Sequence, residues 1–255
     1  MNWSASFSIL QQPGIMQYIM RGTAFTLVIA ASAVLISIVL GSVLALVRNY
    51  CTGKLRVLKW IAVAYIELFR NTPLLLWIFV CLIVCPCPEI FSRKMLGLTS
   101  VEVKILFRAF VALVLFTSSV IAEIIRGGLN AIPKGQFEAA HSQGFSVVQT
   151  MCYIVLPQAY RAVVPTLLSQ VITTIKDSSY LANVAAIELM ARVRKILATS
   201  NMYNGVGAQQ VSDVFVLFGV AFIIYFVINF ALSCVVRSLQ KRKPKQSARP
   251  VAAKA

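Results

Sequence analysis

Few residues of this chain could do chemistry, and those that could are placed for recognition of charge rather than catalysis. His141 is the only histidine in 255 residues, and the eight acidic residues are scattered. No Ser/His/Asp constellation and no G-x-x-x-x-G-K-[ST] phosphate loop occurs, so the chain is expected neither to hydrolyse ATP nor to act as an enzyme. Cys51, Cys81, Cys85, Cys87, Cys152 and Cys234 lack zinc-type paired spacing, and Cys85 and Cys87 are one residue apart instead of the two of a redox motif. They read as small apolar residues at or near a membrane, and His141 reads as a solvated residue.

The informative polar residues interrupt apolar runs. Lys176 and Asp177 stand in the run Val163 to Ile187, roughly 20 Å along a helix that starts near Val163. A charge at that depth costs at least about 2.5 kcal/mol on insertion scales. Neighbours in sequence do not share a helix face, so the two cannot simply neutralise each other. Either a broken helix lines a polar cavity there, with Asp177 or Lys176 reaching a solute's ammonium or carboxylate, or the two are a structural ion pair with another span or a loop just outside the core. Glu123 sits near the end of another run with Arg126 three residues on, which allows a local ion pair or a place on a polar pathway. Asn71-Thr72-Pro73 breaks a third run: Thr72 can cap a helix beginning at Pro73, or the two polar side chains can face a solute.

The elements that position these residues are membrane helices. The chain is 59% hydrophobic and 13% charged, about half the charge of a soluble domain. Thr23 to Val47 holds no charged residue and is long enough to cross a hydrocarbon core of about 30 Å. Further spans are expected at about 62–85, 105–125, 163–187 and 214–236. The second is fed by an amphipathic interfacial helix and broken at Asn71–Pro73, and Gly127 and Gly128 end the third. Residues 1–19 form an N-terminal external segment. They hold no basic residue and the first apolar run is too long for a signal peptide, so no cleavage is expected. Residues 238–255 form a basic tail expected to be disordered against anionic lipid. The net charge of +16 follows the ends of the apolar runs. No basic–aromatic pattern of a nucleic-acid groove accompanies it, so nucleic acid is excluded as a partner. With the N-terminus outside, inner segments hold fourteen basic residues and outer segments seven, which favours an external N-terminus and a cytoplasmic C-terminus.

Between the third and fourth spans lies a polar segment, 132–157. Pro133 suits a helix start and Gly144 a helix end. Ser146 to Gln149 has the form of a capping box, opening a second helix expected to stop before Pro157. Two short helices joined by a glycine turn make a rigid knob. Ala139 and Ala140 let another surface come close, and Glu138 offers it a charge. The geometry suits docking into a groove on a soluble partner.

Glu138-Ala139-Ala140, three residues, Gly144, nine residues and Ile154-Val155-Leu156-Pro157 resemble the EAA loop of binding-protein-dependent ABC importer permeases. Glu67 to Leu75 (ELFRNTPLL), Ala122 to Leu129 (AEIIRGGL) with Ile132 to Gln136 (IPKGQ), and Lys176 to Leu181 (KDSSYL) look like segments of the polar amino acid subfamily, the histidine/glutamine/arginine type. Asn71 departs from the usual glycine, His141 from the usual arginine or lysine, and the turn at Cys85–Cys87 is cysteine-rich. The resemblance, over about residues 20–237, implies an all-α polytopic bundle of about five spans with a cytoplasmic coupling helix, like a type I importer permease. It implies ATPase-coupling residues Glu138, Ala139, Ala140 and Gly144, while the polar interruptions described above make Asn71, Thr72, Glu123, Lys176 and Asp177 candidate substrate-pathway residues. Its partners would be an ABC ATPase dimer carrying ATP and Mg, a second permease copy or sister permease, an amino-acid-binding protein or domain, and the lipid bilayer of the bacterial inner membrane. No cofactor is expected in the chain itself. A stand-alone secondary transporter would need coupling-ion sites and repeated halves, neither of which is visible. An importer for another small solute is the nearer alternative.

Overall fold

In a computed structural model of the chain, residues 3–95 and 97–241 are described. They form helices and connecting turns, with no strand among the described residues. A short helix α1 (Trp3–Gln11) precedes the long α2 (Ile15–Tyr50). Helix α3 (Arg56–Arg70) and α4 (Leu74–Val84) follow, then α5 (Ser100–Asn130). The polar segment holds α6 (Lys134–Ser142) and the single turn α7 (Val147–Gln149). Helix α8 (Leu156–Asp177), the short α9 (Leu189–Ala198) and α10 (Val211–Lys241) complete the chain.

Four stretches are long and apolar enough to cross a membrane: α2, α5, Val147–Val184 and Val211–Gln240. A fifth crossing results when α3 and α4 count together, although they meet at 113°. The expected second span, 62–85, is therefore no straight helix. Pro73 carries no N–H and holds an extended backbone (φ −65°, ψ 136°), so α3 ends at Arg70 and α4 starts at Leu74. Thr72 does not cap α4 as expected. Its hydroxyl donates back to the Leu68 carbonyl (2.6 Å) and accepts from the Trp77 indole (2.7 Å), pinning the two helices at their corner.

The centre of the bundle is the pair α2 and α5, which run in the same direction. Ser37 donates to the Val114 carbonyl at 3.0 Å, and Asn49 to Asn130 at 2.9 Å, one pair midway along and one near the last turns. The buried stripe of α2 includes Gly22, Thr26, Ala30, Ala33, Ser37, Gly41 and Ala45. Small residues every three or four positions bring backbones close, the usual means of packing helices in lipid. A Cβ on Gly41 would lie 2.9 Å from the Ala122 amide nitrogen and the Ser118 carbonyl oxygen. Helix α8 runs opposite, since its first turns meet the later parts of both: Tyr160 is hydrogen-bonded to Ser42, and Ala159 lies against Gly128.

Gly128 corrects one expectation. Helix α5 continues through Gly127 and Gly128 to Asn130. A Cβ on Gly128 would sit 2.4 Å from the Val163 side chain and 3.1 Å from the Ala159 carbonyl. This glycine is there for a helix crossing, not for a helix end. Pro157 corrects another. The helix does not stop before it but runs on through a π-helical stretch, Thr150–Val155, in which the Leu156 amide bonds Met151 five residues back. The wider turn admits the proline ring where an ordinary α-turn would clash. At the other end, Lys176 and Asp177 finish α8, and the chain tightens into a 3-10 turn, Ser178–Val184. Leu181 and Val184 of that turn join Leu74, Ile78, Ala109 and Leu113 in one apolar cluster.

The termini extend further than expected. Helix α2 begins at Ile15, and α1 docks Ile9 against Leu189, Val193 and Leu217. Helix α10 continues four residues into the stretch read as tail, to Lys241. The rest of that stretch, 242–255, lies outside the described residues.

Candidate functional site

The knob at 132–157 is built by two local devices. Helix α6 ends in Gly144 at φ +81°, a left-handed conformation that favours glycine. The Phe145 amide donates to the Ala140 carbonyl (3.1 Å) and the Gly144 amide to the His141 carbonyl (3.0 Å), the six-to-one and five-to-two bonds of a Schellman cap. Two residues on, the expected capping box is present. The Gln149 amide donates to the Ser146 hydroxyl (3.3 Å), and the Ser146 amide donates to the Gln149 side chain (2.9 Å). One helix is stopped and the next started within five residues, so the knob has little freedom to reorient.

Its surface differs from expectation at one residue. Glu138, Ala139 and Gly144 are exposed, but Ala140 is buried beneath the turn it caps. Only Ala139 of the alanine pair can be offered to another surface. Sequence reasoning also missed an apolar patch beside them: Val147, Val148 and Tyr153 are 66–73% exposed. The signal was present as two consecutive valines just inside a capping box.

Close to the knob in sequence and space, the ends of α2, α3 and α5 share a charge cluster. Glu123 accepts from Arg48 at 2.9 Å, lies 3.8 Å from Arg70 and is bonded to Arg126, the expected i, i+3 partner. Arg48 also reaches Glu67 at 3.4 Å, and Asn71 donates to the other oxygen of Glu67 at 3.2 Å. Asn71 and Glu123 thus belong to one cluster, and Thr72 is engaged at the α3–α4 corner next to it. Lys176 and Asp177 are elsewhere. Lys176 is exposed, Asp177 is half-buried, and neither makes an ion pair or side-chain hydrogen bond among the described residues.

Two buried carboxylates lie at the opposite end of α2, and sequence reasoning passed over both. Glu188 is fully buried and caps α9. It accepts from the Met190 and Ala191 amides (2.9 and 2.7 Å), from Tyr225 of α10 (3.1 Å) and, at 3.4 Å, from Thr26 of α2. Burial pushes its carboxyl above the usual range, and the four donors pull it back. Asp213, also fully buried, accepts from Ser6 (2.6 Å), Asn204 (2.9 Å) and the Gln210 amide (3.0 Å), tying α1 and the 199–210 turn to the start of α10. Nearby, the guanidinium of Arg192 lies 4.3 Å over the Tyr18 ring and donates to the Tyr18 carbonyl at 2.9 Å.

With this geometry in hand, the comparisons with known proteins are specific. Residues 37–245 match the family described as "Binding-protein-dependent transport system inner membrane component". The chain is 35% identical over 226 residues to the "Probable glutamine ABC transporter permease protein GlnP" of Bacillus subtilis (strain 168), covering 89% of this chain and 94% of that protein. It is 32% identical over 228 residues to the "Glutamate/aspartate import permease protein GltK" of Escherichia coli O157:H7, covering 88% and 93%. Among solved structures, it resembles a chain of the "Crystal structure of an amino acid ABC transporter with histidines" with a TM-score of 0.70, 24% identity, and coverage of 92% of this chain and 98% of that one. It also resembles a chain of the inward-facing "MetNI methionine ABC transporter", with a TM-score of 0.64, 22% identity, and coverage of 89% and 99%. The last two likenesses concern the fold. The family match takes in the knob, the charge cluster and α8 together. This chain is a multi-pass inner-membrane protein that belongs to the binding-protein-dependent transport system inner membrane components, the permeases of ABC importers.

Proposed function

We propose that this chain is the permease subunit of an ATP-driven importer for a polar amino acid, with the knob at 132–157 as its seat for a separate ATPase. The observation that carries the reading is the knob itself. The short helix α6 and the first turns of the long helix that runs on into α8 meet at a fixed corner between two membrane helices, and Glu138, Ala139 and an apolar patch on it stay exposed among the described residues. An exposed apolar patch rimmed by polar residues suits a protein partner. The ATPase dimer would bind ATP and Mg, and a binding protein or domain would deliver the solute from outside. The names of the relatives support polar amino acids as the cargo. The two similar glutamine permeases of one organism, GlnP and GlnM, make a sister permease a reasonable partner beside a second copy.

The orientation that fits this role puts the knob in the cytoplasm, the N-terminus outside and the C-terminus inside, in line with the distribution of basic residues. A force applied to α6 and α7 would then pass directly into α8, because the helix is continuous from Val147 to Val184. Nucleotide-driven movement of the partner becomes a choice between two arrangements of the spans. Lys176 and Asp177, at the far end of this lever, are our candidates for the solute pathway. Glu123 holds the ends of α2, α3 and α5 in register, Asn71 steadies Glu67 beside it, and Thr72 pins the α3–α4 corner.

Glu138→Lys and Gly144→Trp test the coupling. Each is expected to leave insertion intact and abolish ATP-driven uptake. Unchanged uptake in both would remove the knob from the mechanism. For the pathway, Asp177→Asn and Lys176→Gln should shift the apparent affinity for the amino acid while ATPase activity persists, and normal affinity in both would end that role.

A further inference from the structure

A cavity of 380 Å³ lies between the start of α5 and helix α9, away from the knob. Its volume falls within the range of about 300–1,000 Å³ usual for small-molecule sites. Among its walls are Tyr18, Glu102, Ala182, Arg192, Arg194 and Lys195. Three cations thus face one carboxylate. Arg21 lies close enough to Arg192 to act on its charge, which adds a fourth cation to the field. Glu102 is within electrostatic reach of both Lys195 and Arg192.

Arg192 makes this more than a charged surface. It is 7% exposed; its Nε is sealed off, its Nη1 donates to the Tyr18 carbonyl, and its Nη2 is in no hydrogen bond among the described residues. A buried guanidinium with an unused donor is unfavourable unless an acceptor meets it. The ring of Tyr18 and the Tyr18 carbonyl hold the group in place, so its fork is fixed before any ligand arrives. A fixed planar fork is the usual recognition element for a carboxylate. Arg194 and Lys195 are exposed on the rim, where they can attract an anion or meet a second one. Glu102 uses Oε2 to accept from the amide and hydroxyl of Thr99, at 2.8 and 2.9 Å. Its Oε1 is in no hydrogen bond among the described residues, which leaves an acceptor for an ammonium.

We propose that this cavity binds an acidic amino acid: one carboxylate on Arg192, the second on Arg194 and Lys195, and the α-ammonium on Glu102. The excess of cations disfavours a basic amino acid and gives a neutral one a single carboxylate contact. The inference rests on the amino-acid importer reading and narrows its cargo to the dicarboxylic class.

The test is direct binding of L-glutamate to the permease with its partner ATPase in phosphatidylcholine nanodiscs, with no binding protein present. Saturable binding is expected, at least tenfold tighter than that of L-arginine and tighter than that of L-glutamine. The double substitution Arg194→Gln, Lys195→Gln changes only exposed side chains, and should weaken glutamate at least tenfold. Glu102→Gln should weaken glutamate but not glutarate, the dicarboxylate that lacks the amine. A general loss of folding would weaken both. Absence of glutamate binding, equal binding of arginine, or undiminished glutamate binding by the double variant overturns the proposal. ATP-driven uptake of an amino acid, measured on the same preparation, would leave the importer reading standing in each of those cases.

Discussion

The two ends of the bundle handle acidic side chains in opposite ways. At the end next to the knob, Glu67 and Glu123 meet arginines, and the side chains of that cluster are 20–48% exposed. At the other end, Glu188 and Asp213 are fully buried, and their hydrogen bonds come from hydroxyls, an amide side chain and backbone amides. Partly exposed ion pairs contribute little individually, weaken in salt and can exchange partners. A buried carboxylate surrounded by fixed donors cannot move without leaving several polar groups unpaired. One end is therefore suited to rearrange while the other is suited to hold. The rearranging end is the one beside the proposed ATPase seat.

The sharpest way to break this contrast is Glu188→Ala. It strands Thr26, Tyr225 and two backbone amides in a buried site, and the expected loss is on the order of 3 kcal/mol or more in denaturant unfolding of the purified chain. A loss below about 1 kcal/mol would mean that the holding end does not hold. Next comes Gly128→Val, which forces apart α5 and α8 beside the knob. About 1–3 kcal/mol should be lost. The control is Gly127→Ala, whose Cβ would meet nothing within 4 Å and which should raise stability by about 0.5–1 kcal/mol by helix propensity alone.

Glu123→Gln is expected to have a smaller effect, about 1 kcal/mol at low salt, shrinking toward zero near 1 M salt because the cluster is partly solvated. A salt-independent loss would make the two ends alike. Smallest is Ser146→Ala, which removes half of the capping box. It should reduce stability by about 0.5–1 kcal/mol, most visibly as faster amide exchange at Gln149.

Local features were the legible ones. The glycine stop at Gly144 and the capping box at Ser146 involve residues within five positions of each other, and both are where the sequence puts them. The break at Asn71–Pro73 is local as well, but Thr72 had competing partners within five positions of it. An indole from Trp77 took the hydroxyl that would otherwise have capped α4. The glycine pair failed for a different reason. A glycine near the end of an apolar run reads equally well as a terminator or as a contact point, and only the approach of Val163 distinguishes them. Glu188 was illegible as a buried site because two of its four donors come from residues 26 and 225, and no window of sequence contains all three. The ion pair of Glu123 with Arg126 was legible from i, i+3 spacing, whereas Arg48 and Arg70 joined it only through folding.

The widened turn at Thr150–Val155 has a consequence for anyone counting along this helix. A π-turn takes in one residue more than an α-turn, so side chains beyond it are offset by about 100° from a wheel drawn at 3.6 residues per turn from Val147. Positions above and below Leu156 therefore obey two separate phase origins. Paired labels or cysteine cross-links meant to follow one stripe from the knob up to Asp177 will land on different faces unless the numbering is restarted at that point.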